Sequence, residues 1–181
     1  IDAYNSEMTL LFDEVIGYSQ VFHEKYQLGC FYTDALRERL NVDVTFQNYG
    51  GIRSTLNAGD ITVRDIFEID PFNNGAIIYQ MSVTEIRNFL MASQSWLYYS
   101  GLEIVQFDNG IQFIDLYGNT LAENKILSIG INDYIPAVYE NYFPMDGELQ
   151  SFTTAEAIIY YLKNIHGELN YPDCGRYFKY H

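Results

Sequence analysis

Asn48-Tyr49-Gly50-Gly51-Ile52-Arg53, then Ala58-Gly59-Asp60-Ile61-Thr62, then Pro71-Phe72-Asn73-Asn74: these three segments decide how the chain reads. The first is a strand running into a glycine pair. Without Cβ atoms, Gly50 and Gly51 allow a ligand to approach the backbone at the strand end. Arg53 follows with a rigid guanidinium fork suited to carbonyls, carboxylates or phosphate, or to an ion pair with a neighbouring acid. Residues 57–60 read as a turn, and 61–69 mix strand and helix. Residues 71–75 form an irregular loop in which Phe72 is either an exposed ring or a core plug.

Outward from this centre the patterns alternate. Residues 5–13 read as an amphipathic lead-in helix within a lead-in segment spanning 1–25, followed by a short strand at 15–19. Residues 27–40 carry Leu28, Phe31, Ala35, Leu36 and Leu40 at helical spacing. Residues 42–46 alternate as a strand, with Val42, Val44 and Phe46 on one face. A further strand is predicted at 76–80. Ser82-Val83-Thr84-Glu85 is a capping box, and Thr153-Thr154-Ala155-Glu156 repeats the device, so a helix follows each. Between them, 102–107 and 111–116 flank Asp108-Asn109-Gly110. This is a hairpin signal in which Asn-Gly suits a type I′ turn. Residues 126–131 are another strand. Strands and helices intermix without a strict βαβ rhythm, so the fold class is α+β, a mixed sheet flanked by helices in a single domain spanning 1–181.

The 181 residues carry a net charge of −14, from 24 acidic against 10 basic side chains. Such a surface repels a polyphosphate backbone and argues against DNA or RNA as partner. Nearly half the residues are hydrophobic (48%), yet the apolar runs are too short for a membrane span. The chain opens on Ile1 and shows no signal peptide, which suggests a processed or excised piece. Cys30 lies in the first long helix and reads as a small buried residue rather than a reactive thiol. Its separation from Cys174 leaves a disulfide open.

Self-sufficient catalytic chemistry is not visible. His23, His166 and His181 have no metal-type neighbour pattern. Asn164-Ile165-His166-Gly167-Glu168 reads as a solvated helix end. No nucleophile elbow, zincin or Walker motif occurs. The carboxylate pairs Glu68/Asp70 and Glu103/Asp108 are expected by chance in so acidic a chain. No catalytic residue, metal ligand or cofactor site is assigned.

Taken together, the three opening segments resemble the C-terminal, nucleoside-recognition domain of the 5'-nucleotidase / 2',3'-cyclic phosphodiesterase family. They match its Asn-x-Gly-Gly-Ile-Arg, Ala-Gly-Asp-Ile-Thr and Pro-Phe-x-Asn pattern in order and spacing. Leu28-Gly29 with Asp34-Ala35-Leu36 is similar to a family helix, with Cys30 in place of its asparagine. Asn132-Asp133-Tyr134 is similar to the family's Asn-Asp-Phe/Tyr. The resemblance implies a base held between the rings of Phe72 and Tyr134. Asn74 would help to read the base, Arg53 would steady the pocket, Glu140 would bond the ribose, and Asn48, Gly50 and Gly51 would form the supporting loop. It also implies a secreted or otherwise extracytoplasmic nucleotidase. Its catalysis, hydrolysis of nucleoside 5'-monophosphates or related nucleotides, would belong to a metallophosphoesterase domain holding divalent metals such as Zn or Mn. That domain would lie in the same or a separate chain. The alternative is a stand-alone, non-catalytic binding or interaction module that keeps the scaffold, either pairing with a separately encoded catalytic chain or serving another ligand. Two departures stand out. Val138-Tyr139-Glu140-Asn141-Tyr142 replaces a glycine-rich family loop, and residues 18–22 lack the arginines that some members carry.

Overall fold

Residues 11–181 are described by a computed structural model. The lead-in helix read over 5–13 falls mostly outside them. Six strands form the main sheet in the order β11-β5-β2-β8-β4-β9. They are β2 (Val44–Asn48), β4 (Gly75–Ser82), β5 (Leu97–Ser100), β8 (Ile126–Asn132), β9 (Glu148–Thr153) and β11 (Tyr177–Phe178). β2 and β8 run parallel, and every other neighbouring pair is antiparallel. A smaller sheet places β1 (Val15–Ser19) between β10 (Glu168–Leu169) and β3 (Gly59–Thr62).

Strand alternation explains why both faces of the main sheet are covered. Val44 and Phe46 of β2, Ile77, Tyr79 and Met81 of β4, and Leu127, Ile129 and Ile131 of β8 point to one side. There they meet Val83, Ile86, Phe89 and Leu90 of helix α3 (Val83–Ala92). Ile111 and Phe113, from the hairpin of β6 (Glu103–Phe107) and β7 (Gly110–Ile114), close that core. The opposite core is built on α1 (Lys25–Leu40) and α5 (Thr154–Asn164), through Leu28, Phe31, Tyr32, Leu36, Ile158 and Leu162. Each such side chain contributes about 1.5–3 kcal/mol on burial. Val42 belongs to this second core, not with Val44 and Phe46, because the strand begins only at Val44.

Both expected capping boxes form, from Ser82 with Glu85 and from Thr153 with Glu156. The short helix α2 (Val63–Ile69) has a third, from Thr62 and Asp65. α1 starts two residues before its apolar spacing does, because Glu24 and Gln27 cap it reciprocally. The hairpin is where the sequence places it, but its turn is not type I′. Phe107 pairs with Gly110, so Asp108 and Asn109 occupy the turn, and neither has a positive φ; only Gly110 does, at 156°.

Cys30 and Cys174 are joined in a disulfide across 144 residues, so Cys30 is more than a buried thiol. The bond fastens the C-terminal segment to α1. Arg176 reinforces it with two bonds to the Asp34 carboxylate, at 2.7 and 2.5 Å. Burial alone would raise the Asp34 carboxyl. The bonds from Arg176 and Ser100, the Arg176 charge and the Tyr171 hydroxyl outweigh that and hold it below its ordinary value.

Candidate functional site

Sheet order brings the opening segments together. Because β2 and β8 are parallel neighbours and β4 runs antiparallel to β8, the ends of β2 and β8 and the start of β4 share one edge. Asn48 ends β2, and residues 49–51 turn tightly above it. Asn74 directly precedes β4. Tyr134 opens the short helix α4 (Tyr134–Val138), two residues after β8. Two backbone bonds knit these segments: Arg53 N–H to the Ile69 carbonyl at 2.8 Å, and Asp133 N–H to the Gly75 carbonyl at 2.9 Å.

Asn48, Gly50, Arg53, Phe72, Asn74 and Tyr134 line one cavity of about 280 Å³. Phe72 and Tyr134 are 48% and 52% exposed, so neither ring is a core plug. The Arg53 guanidinium carbon lies 5.8 Å from the Phe72 ring centre, and one of its NH groups donates to the Gly50 carbonyl at 3.4 Å. Among the described residues Arg53 makes no ion pair with an acid. The lining therefore combines two half-exposed rings, an arginine and two carboxamides. A flat ring with polar edges fits that chemistry.

Buried groups hold the walls in place. The Asp70 carboxylate, fully buried beneath the Phe72 loop, accepts from the Tyr32 hydroxyl, from Thr154 Oγ1 at 2.7 Å and from the Phe72 N–H at 3.4 Å. Burial, followed by the Asp70 charge and bond, pushes the Tyr32 phenol well above its ordinary pKa and keeps it a donor. Asp70 is thus an anchor, while Glu68, Glu103 and Asp108 are exposed on other elements. Gly51 is buried and lines no part of the cavity. A Cβ there would lie 2.4 Å from Gln47 Nε2, so a side chain at this position would have to displace the Gln47 carboxamide.

Glu140 is not brought to this cavity. Lacking the glycines of the family loop, Val138–Tyr142 continues from α4 into a helical turn at Glu140–Tyr142. Glu140 therefore lines a separate hollow with Asp133, Tyr79 and Phe143. Sequence reading also gave no role to Asp70, dismissed with Glu68 as a chance pair, or to Asn132. For Asn132 the signal was present in Asn132-Asp133-Tyr134, where only the tyrosine was given a role.

The histidines lie elsewhere. His23 is fully buried, with Nδ1 2.9 Å from Ser19 Oγ and Nε2 accepting the Tyr171 N–H at 2.9 Å. Burial lowers its pKa. His166 is exposed just beyond α5, and His181 packs its edge against Trp96. Among the described residues no group of three or more His, Cys, Asp or Glu side chains is placed to hold a metal ion. No step is assigned to a metal in this chain. No helix of the described residues is long and apolar enough to cross a membrane.

Residues 13–145 match the family model described as 5'-nucleotidase, C-terminal domain. Protein UshA of Yersinia enterocolitica is 26% identical over 114 residues, covering 59% of this chain and 21% of the relative. A 5'-nucleotidase of Vibrio parahaemolyticus is 34% identical over 67 residues, covering 37% of this chain and 12% of the relative. Among solved structures, a 5'-nucleotidase precursor from Thermus thermophilus superposes with a TM-score of 0.76 at 22% identity. It covers 96% of this chain and 41% of that one. The NAD nucleotidase of Haemophilus influenzae also gives 0.76, at 18% identity, over 97% of this chain and 39% of its own. The structural likenesses establish the fold. The chain spans about a fifth or less of these two curated relatives. With the family model covering well over half its length, the chain belongs to the 5'-nucleotidase C-terminal domain family.

Proposed function

We propose that this domain holds the nucleoside part of a nucleotide, with the base stacked between Phe72 and Tyr134, for hydrolysis by a dimetal phosphoesterase domain in the same or a separate chain. The observation that carries this reading is the convergence of Asn48, Gly50, Arg53, Phe72, Asn74 and Tyr134 on one cavity, from three segments of the chain. Stacking on an aromatic ring contributes roughly 1–3 kcal/mol per base and tolerates any base, because each has a π-face. Divalent metals such as Zn or Mn belong to the catalytic domain, and this chain contributes positioning. The Cys30–Cys174 disulfide supports an extracytoplasmic, oxidising location.

A second reading, a binding module working without an attached catalytic domain, is favoured by the altered loop that leaves Glu140 outside the cavity. Calorimetric titration with adenosine and other nucleosides tests the shared core of both. Weak binding, micromolar at best, is expected, weakened about five- to 150-fold by Phe72→Ala. Saturable binding that Phe72→Ala leaves unchanged would place the ligand elsewhere. To separate the two readings, the chain is mixed with a metallophosphoesterase domain of the family and nucleotide hydrolysis is measured.

A further inference from the structure

Asn132, at the end of β8, is fully buried. Its Oδ1 accepts the backbone N–H of Ile135 at 3.1 Å. A backbone amide only donates, so this bond fixes which end of the Asn132 carboxamide faces α4. The Nδ2 end is turned the other way. There it donates to Gln47 Oε1 at 2.7 Å and to Asn48 Oδ1 at 2.8 Å. Both oxygens are thereby engaged, and the NH2 groups of Gln47 and Asn48 must point away from Asn132.

Each neighbour bears the mark of that constraint. Gln47 Nε2 is buried without an acceptor among the described residues. Asn48 Nδ2 stands on the Gly50 side, 3.7 Å from where a Cβ on Gly50 would be, and Asn48 and Gly50 both line the cavity. An arrangement with the Asn48 carbonyl turned inward would set two NH2 groups against each other at position 132.

We infer that Asn132 is a positioning residue: through Asn48 it presents a hydrogen-bond donor, and not an acceptor, to the ligand slot. The slot accordingly selects ring systems that offer an acceptor on the edge facing Asn48. The inference rests on the nucleoside reading of the cavity.

Asn132→Asp tests it. The new carboxylate still accepts the Ile135 N–H but cannot donate, so Asn48 turns its NH2 towards it and its carbonyl into the slot. The probes are adenosine and analogues in which one ring nitrogen at a time is replaced by C–H, titrated into the 181-residue chain. In the wild type, one replacement should weaken binding about tenfold, as expected for one lost hydrogen bond with its partner left unpaired. In Asn132→Asp that difference should vanish while adenosine itself still binds. Asn132→Leu, which has similar volume, adds no charge and cannot donate, should blunt the same difference if the aspartate variant does not fold. In the free wild type, NMR should show the Asn132 side-chain NH2 protected from solvent exchange and the Asn48 NH2 exchanging fast. Equal binding of all analogues by wild type overturns the inference and leaves nucleoside binding standing. So does an unaltered preference in either variant, or a protected Asn48 NH2. No binding of any nucleoside overturns both.

Discussion

The Arg53 guanidinium stands over Phe72, 5.8 Å from its ring centre, while the Arg53 backbone N–H bonds the Ile69 carbonyl just before the Phe72 loop. Arginine and ring are thus tied through both backbone and side chain. A cation within about 6 Å of an exposed ring contributes roughly 0.5–1 kcal/mol. Arg53→Met is expected to weaken nucleoside binding by about two- to fivefold through this contact alone. Stability should change by no more than about 1 kcal/mol, the worth of that contact, because the side chain is otherwise exposed. Calorimetry and a urea titration on the same variant separate the two effects.

Asp70 is expected to affect both. Asp70→Ala leaves the Tyr32 hydroxyl and Thr154 Oγ1 without their buried acceptor, at roughly 1–3 kcal/mol for each group. It also releases the Phe72 N–H, so nucleoside affinity should fall although Asp70 does not line the cavity. Urea midpoint and affinity should therefore drop together. A drop in only one would sever the link between anchor and ring.

Gly29→Ala should destabilise without touching the cavity. A Cβ there would lie 2.2–2.4 Å from three carbons of the Tyr98 ring, which is fully buried and stacked on Tyr49. Overpacking of this kind costs about 1–3 kcal/mol. An unshifted melting temperature would mean that the ring has room to move.

Reducing the disulfide removes a constraint that closes most of the chain into a loop, and a loss of about 2–5 kcal/mol is expected. Trp96 is the one tryptophan of the sequence and packs against Tyr177 and His181. Its fluorescence should change on reduction at a temperature where circular dichroism still reports a folded chain.

His23 makes stability depend on pH in a defined direction. Its folded-state pKa is lowered by burial below the ordinary value of about 6.5, so between the two values the unfolded chain binds more protons. This contribution is full above about pH 6.5, falls as the pH drops through that window, and levels off below the folded-state value. Urea midpoints should decline from pH 7.5 to 5. His23→Gln should flatten that part of the profile, whatever its overall stability.

Local devices were legible in the sequence because their chemistry is short-range. The serine and threonine capping boxes, strand β1 and the β6–β7 hairpin needed only neighbouring residues. What depended on sheet order was not legible. Nothing in the spacing of Val44 and Ile129 says that β2 and β8 lie side by side, yet that pairing brings Tyr134 to Asn48. The Cys30–Cys174 bond depended on how a distant tail folds back over α1. Glu140 was placed by matching its position to a loop whose glycines are missing, and a helical turn carried it into another hollow. Asn132 and Asp70 were given no role, because a buried amide and a buried acid look ordinary until their partners are known.

The backbone bonds from Asp133 to Gly75 and from Arg53 to Ile69 are made before any visitor arrives. On the nucleoside reading, an incoming ring should meet a berth already assembled, with little ordering left for binding to impose. Association should then follow a single exponential whose rate climbs linearly with concentration. The accompanying heat-capacity change should match the surface of one ring, without the larger signature of a segment folding upon its guest.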